Sequence, residues 1–354
     1  MIAYWVIFLM PALLALTLAE KGPRPGRERV PLTPAWIAAW IMLVVVVGFR
    51  HYVGGDWMNY LRHYTAARGM GLAELIAQSD PGYQFISWLS LALDLDIWGV
   101  NTIGAIIFAT GLLAFCRSLS RPWLGFAVAV PYLVIVVAMG YTRQGIALGF
   151  ALLGLLAFGR RSVVMFAFWI LVAATVHRSA LVLLPIAALA TPRNRVWTGF
   201  WIGILCVVGY LSFIESDVES LYSNYVATDY QSEGALVRSL MNAVPGAIFL
   251  SRSRQFPLSP AALGFWRWVA LLSIGLLVAV IASPGTSAAL DRLGLYFLPL
   301  QVMVFSCLPT VFASGRRRTA WVLAVLAYYA AILLVWLNFG ANAYAWRPYG
   351  SFLL

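Results

Sequence analysis

The stretch IAAWIMLVVVVGFRHYVGGDWMNYLRHY (37–64) divides in two at Arg50. Before it lies a run with no charge. After it come Asp56, Arg62, two histidines and three tyrosines within fifteen residues. The same contrast runs along the whole chain. Of its 354 residues 62% are hydrophobic and only 10% charged, and the mean hydropathy is +0.85. Apolar runs of roughly 17–25 residues divided by short basic loops are the pattern of membrane-spanning helices. The expectation is an all-α polytopic integral membrane protein.

The basic loop KGPRPGRER (21–29) follows the first apolar run. Lys and Arg accumulate on cytoplasmic loops, so this loop is expected inside and residues 50–80 outside. The first run, IAYWVIFLMPALLALTLA, lacks a basic leader and is read as a retained helix rather than a signal peptide. Further basic clusters stand at 117 and 121, 160–161, 193 and 195, 252 and 254, and 316–318. Holding each inside predicts about twelve spans, near 2–19, 33–49, 97–116, 122–139, 145–158, 162–176, 179–190, 196–214, 236–250, 261–282, 288–313 and 319–338. The apolar stretch 82–93 is too short to cross and is expected as a re-entrant or interfacial helix. The whole chain, 1–354, reads as one transmembrane domain with external loops 50–81 and 215–235.

In this topology 16 of the 24 basic residues lie inside, while 11 of the 13 acidic ones lie outside. The net charge of +11 is therefore mostly a topology signal, and no basic–aromatic module for nucleic acid is present. Cys116, Cys206 and Cys307 sit in apolar runs without ligand spacing, as inert buried thiols do. No acidic metal motif is visible, and no cofactor is expected.

The ionisable residues left outside are more informative. Arg50, Arg143, Arg178, Arg238 and Arg292 each stand at a different span end, and Arg347 stands in the tail. An arginine at mid-membrane costs about 2.5–3.5 kcal/mol on insertion scales, less toward the interface. Singly each has a bland reading: Arg50 as a snorkelling helix end, Arg292 paired with Asp291, Arg347 at an aromatic belt. Together they suit a buried phosphate or diphosphate, since guanidinium groups bind phosphate oxygens bidentately and do not lose their charge.

Seven pieces in order resemble the EpsG family of Wzy-type polysaccharide polymerases. They are Arg50-x-x-x-Gly54-x-Asp56-x-x-x-Tyr60, PGYQFISWL (81–89), TRQGIALG (142–149), HRSALVLLP (177–185), RSLMNAVP (238–245), DRLGLYFLP (291–299) and WRPYGSFLL (346–354). Gly55 departs from the pattern, standing where many relatives have Thr or Ser. The resemblance implies a bacterial inner-membrane glycosyltransferase of GT-C-like architecture, its active site facing the periplasm. It implies joining of oligosaccharide repeat units carried on undecaprenyl diphosphate. A flippase and a chain-length regulator are the implied partners, beside the lipid bilayer.

For that chemistry the expected diphosphate and substrate ligands are Arg50, Arg143, Arg178, Arg238, Arg292 and Arg347, with Gln144 and Tyr60 beside them. Charge developing on the leaving diphosphate is met by preplaced cations rather than by a metal. His177 is the expected general base, with Asp56 pairing Arg50; the reverse assignment, Asp56 as base, stays open. Tyr60, Tyr52, Trp57, Tyr222, Tyr225 and Tyr230 are candidates for stacking on sugar rings or for plain interfacial anchoring. A lipid-linked oligosaccharide flippase or transporter, a membrane acyltransferase and a polysaccharide ligase are the alternative readings.

Overall fold

A computed structural model describes residues 1–18, 22, 29–78, 80–190, 234–315 and 317–353. The expected span 196–214, Cys206 and the acidic stretch 215–233 with its three tyrosines lie outside the described residues. Where the chain is described it is helical, and the one ladder-type contact is an isolated antiparallel bridge between Arg50 and Ser351. Helices follow from composition, because inside a bilayer every backbone polar group must be satisfied within its own segment.

The elements in order are α1 (Ile2–Thr17), α2 (Pro34–Gly48), α3 (Trp57–Ala66), α4 (Leu72–Ile76), α5 (Pro81–Ala92), α6 (Asp96–Cys116) and α7 (Pro122–Ala129). Then follow α8 (Thr142–Gly159), α9 (Val163–Val176), α10 (Leu183–Ala190), α11 (Ala235–Arg252), α12 (Pro260–Ala282), α13 (Ser287–Gly294), α14 (Pro299–Val311) and α15 (Arg317–Phe339). A π-helical stretch, Val130–Ala138, extends α7, and a 3-10 turn, Arg178–Val182, leads into α10. By length and composition five segments suffice to cross a membrane: Asp96–Cys116, Thr142–Gly159, Pro260–Ala282, Leu290–Val311 and Arg317–Phe339. Ile2–Thr17, Pro34–Gly48, Pro122–Ala138, Val163–Val176 and Arg178–Ala190 are apolar but shorter. The chain is a multi-pass membrane protein.

The π-extended α7 and the pair α13–α14 form the buried middle of the bundle, while α12 and α15 keep apolar faces outward. Around this middle α2 packs on α6, α6 on α8, α8 on α9, and α11 on α12. The α6–α8 crossing depends on two glycines. A Cβ on Gly111 would run into the carbonyl of Gly149, and one on Gly149 would meet the backbone of Phe108 at 2.8 Å. Small residues at a crossing let two helices approach closely where no hydrophobic force drives them together.

The expected external loop 50–81 is folded rather than open. In α3 the side chains of Trp57, Tyr60 and Tyr64 are buried, at the three- and four-residue spacing that places them on one helical face. The 82–93 segment forms the twelve-residue α5, about 18 Å long and well short of a bilayer core. One boundary differs in a way that matters. The span expected at 145 starts at Thr142, because Tyr141 accepts the Gly145 N–H and opens the helix early. Arg143 and Gln144 are thus the first turn of a long helix, not the loop before it.

Candidate functional site

The described arginines collect at two opposite ends of the bundle. At one end, reached by the C-terminus of α2 and the N-termini of α8 and α11, Arg143 is the central group. Its Nη1 donates to Asp80 Oδ2 at 2.8 Å, and its guanidinium lies over the rings of Tyr60 (5.7 Å) and Tyr83 (5.5 Å). The Arg143 backbone N–H donates to the Tyr60 hydroxyl at 3.3 Å. A cation in the first turn of a helix opposes the helix dipole. Asp80 offsets that opposition, and the guanidinium at this helix N-terminus makes an anion-attracting corner. Asp80 itself caps α5 in the left-handed region, at φ 56°, which turns its carboxylate toward α8.

A second centre repeats the plan in the first turn of α11. There Arg238 Nε donates to Asp291 Oδ1 at 2.6 Å, in a pocket that Tyr132 helps line. The next residue, Arg292, is exposed on α13, and its positive charge acts on both Asp56 and His177. The charge of Arg143 acts on the same two groups. Asp56, His177, Arg143 and Arg292, from four separate stretches of sequence, therefore share one electrostatic neighbourhood.

Asp56 and His177 differ in what they can do. Asp56 is the N-cap of α3, yet its side chain makes no capping bond; its partner is Asn59 Nδ2 at 3.4 Å. Burial raises the Asp56 pKa above the ordinary carboxylate range, against the Asn59 hydrogen bond and the two arginine charges, which lower it. A carboxylate with open lone pairs and a raised pKa is a competent proton acceptor. His177 Nδ1 instead accepts the Ser179 N–H at 3.3 Å. That bond assigns the proton of the neutral ring to Nε2, which is then a donor. Burial, followed by the charges of Arg143 and Arg292, pulls the imidazole down to about 3.

The chain matches the EpsG family over residues 35–351. It belongs to that family. EpsG proteins are Wzy-type polysaccharide polymerase-like proteins, and membership supports a polymerase-like role in polysaccharide biosynthesis. No curated protein and no solved structure matches the chain.

In this EpsG-family chain several expected ligands are engaged within the fold. Arg50 does not pair with Asp56. It is 2% exposed, its Nη1 donates to the Val47 carbonyl and its Nη2 to Thr142 Oγ1, and its guanidinium lies over Trp57. The reason is local: the end of α2 leaves carbonyls without helical partners, and Arg50 turns inward to meet one of them. Asp291 likewise pairs with Arg238, across 53 residues, rather than with its neighbour Arg292. Tyr60 and Trp57 are buried, whereas Tyr52 is 59% exposed. Gln144 is buried beside Arg143, and its Nε2 has no partner among the described residues. Arg178 is half-buried beside His177, and Arg347 is exposed on the tail.

The tail's role lies beside Arg347. Trp346 Nε1 donates to the Ile135 carbonyl at 2.8 Å, and the Trp346 carbonyl accepts the Tyr4 hydroxyl at 2.6 Å. Residues 49–54 are then held by Phe352 N–H to Phe49 O (2.8 Å), His51 N–H to Gly350 O (3.0 Å) and Gly54 N–H to Ala345 O (2.9 Å). Gly54 has φ 110°, and a Cβ there would strike the Met139 carbonyl, so no other residue fits this strap.

Asp80 is the site residue that sequence reading passed over. The signal was present: an acidic residue directly before Pro81, at the edge of a motif that otherwise looked apolar.

Proposed function

We propose that this chain is a polysaccharide polymerase that transfers a growing glycan from undecaprenyl diphosphate to an incoming lipid-linked repeat unit. The reaction runs at the periplasmic face of a bacterial inner membrane, in one domain, 1–354, of about twelve spans with GT-C-like architecture. The observation that carries the reading is the shared neighbourhood of Asp56, His177, Arg143 and Arg292, assembled from four motifs remote in sequence.

In the proposed step an acceptor hydroxyl attacks the anomeric carbon of the chain. The new C–O bond forms as the bond to diphosphate breaks, and the bonding pair leaves with lipid diphosphate. The hydroxyl proton passes to Asp56, whose raised pKa suits it to that task. Arg143 and Arg292 meet the charge growing on the diphosphate; cations preplaced in a dry cleft require no reorganisation as the charge develops. This leaves no step that requires a metal. His177 supplies a neutral Nε2–H donor to the sugar or phosphate, and Arg178 adds charge at its side. Arg238, Arg347 and Tyr52 remain candidates for holding the lipid-linked chains, with Gln144 beneath Arg143. Attack opposite the leaving group inverts the anomeric centre.

The external placement rests on the positive-inside rule, since the opposite end carries the basic loops. The test is to incubate purified protein with a synthetic lipid-diphosphate oligosaccharide and resolve the products. A ladder of repeat lengths is expected. A single acylated or unextended product overturns the reading.

A further inference from the structure

At the end of the bundle away from Arg143, a groove of about 330 Å³ opens between α2 and α6. Its walls are apolar, with Trp36, Ile37 and Trp40 on one side and Leu113 and Ala114 on the other. Arg29 and Arg117 complete its lining. The recess has a geometric origin. The 15 residues of α2 extend about 22 Å and the 21 residues of α6 about 31 Å, so two neighbouring helices end out of step.

The walls are rigid. Trp36 stacks on Trp123 with centroids 3.7 Å apart, and Trp40 Nε1 donates to Thr110 Oγ1 at 3.0 Å. Arg117 is fixed by two bonds, Nε and Nη2 both donating to the Val30 carbonyl at 3.0 and 2.6 Å, and neither bond uses Nη1. Burial first, and the charge of Arg29 second, pull the Arg117 pKa below its usual value. Two like charges are thus held together along a slot that suits hydrocarbon. Among the described residues neither has a carboxylate within ion-pair distance, in contrast to Arg143 and Arg238.

From this pairing of charge and apolar surface we infer that the α2–α6 groove binds one anionic phospholipid, its phosphate between Arg29 and Arg117 and an acyl chain along Trp36, Ile37 and Trp40. A basic pocket between spanning helices is the form such sites take. A zwitterionic lipid fits the slot but brings its own cation to the two arginines. A free phosphate ion leaves the apolar wall unfilled. The inference stands on the membrane-spanning fold alone and does not depend on the polymerase reading.

The test uses the full-length protein in detergent, titrated with phosphatidylglycerol, phosphatidylcholine or inorganic phosphate and followed by native mass spectrometry. Saturable binding of one phosphatidylglycerol is expected, with phosphatidylcholine at least tenfold weaker and millimolar phosphate unable to displace the lipid. Each basic group beside an anionic headgroup is worth roughly fivefold, so Arg29→Gln is expected to weaken binding about fivefold and Arg29→Gln/Arg117→Gln about 30-fold. Arg252→Gln, outside the groove, is expected to change nothing. Should Arg117→Gln loosen this corner by cutting the tie to Val30, Arg29→Gln leaves that tie in place and decides the matter. Equal binding of the two lipids overturns the inference, as does displacement by phosphate or unchanged affinity in Arg29→Gln.

Discussion

The two ends of the bundle use the same side chain differently. Near Arg143 the guanidinium groups meet carboxylates: Arg143 with Asp80, Arg238 with Asp291, and the exposed Arg68 with Asp96 at 3.4 Å. At the opposite end they meet backbone carbonyls, a hydroxyl or a ring. Arg117 binds the Val30 carbonyl, Arg121 that of Ala15, Arg318 that of Ala313, Arg267 the Ser253 hydroxyl, and Arg252 lies over Phe312. A carboxylate partner is exchangeable, because phosphate offers the same charge and the same oxygen geometry. A backbone carbonyl is not displaced by a ligand, so an arginine bound to one is held in place as a strut, and only an N–H left over from that bond, such as Arg117 Nη1, can meet a ligand. Exposed Arg62 departs from this, bonding the Met58 carbonyl and Asn59 Oδ1, and Arg50 is the buried, instructive exception. It stands at the carboxylate end yet bonds a carbonyl and Thr142, so it belongs with the struts.

That division is broken or sharpened by mutation. The largest effect is expected for Asp56→Asn, which keeps the side-chain shape and removes the proton acceptor. Polymer formation should fall about 10²–10⁴-fold, the usual scale for a general base, read as rate of ladder formation. Because burial raises the Asp56 pKa in the folded state, its ionised form disfavours folding at any pH above that value. The same variant should therefore melt slightly higher than wild type at pH 7, whereas a structural acid would melt lower. Activity of the wild type should fall on acidification through a pKa above the ordinary carboxylate range, as Asp56 takes up its proton.

Arg143→Ala comes next, with a loss of about 10²–10³-fold, as expected for one preplaced donor to a developing negative charge. Membrane yield should stay near normal, with a modest drop in melting temperature, since the mostly buried Asp80 carboxylate loses its partner. Arg50→Ala should do the reverse. Removing a buried guanidinium with two hydrogen bonds should cost about 2–4 kcal/mol of stability, seen as a lower melting temperature and reduced yield. Arg50→Lys should not restore it. If Arg50→Ala is fully stable but inactive, the strut assignment fails.

His177→Gln should be mild, about tenfold or less, because the amide still offers a donor. With its imidazole held near 3, His177 stays neutral across pH 5–8, so no limb of the pH profile in that window should vanish in the variant. A lost limb near pH 6 would return His177 to the role of base. The smallest effect belongs to Arg317→Ala at the far end, where chain length and polymer abundance should stay at wild-type values.

Much of this molecule is legible in its amino-acid sequence. The hydropathy of IAAWIMLVVVVGF predicts α2, and the positions of the basic clusters sort Arg143, Arg238 and Arg292 from Arg117, Arg121 and Arg252. The order of the motifs carries the family. The functional ranking within a motif is not legible. Arg50 and Arg143 look alike in sequence, each a lone arginine at a span boundary, yet one is sealed inside and the other is partly exposed. Asp291 is adjacent to Arg292 in the chain but faces Arg238, because neighbouring positions on a helix point about 100° apart. WRPYG reads as a tail at the interface, while its Trp346 is the pin that holds residues 49–54.

The sequence by itself determined that the chain spans a membrane and that its cations divide between two faces. Both follow from transfer free energies summed residue by residue, which need no knowledge of neighbours. Only the tertiary structure decided which arginine is braced and which is available. Arg143 and Asp80 are 63 residues apart and Arg238 and Asp291 are 53 apart, so each pairing exists only where helix crossings bring the two side chains within hydrogen-bonding distance.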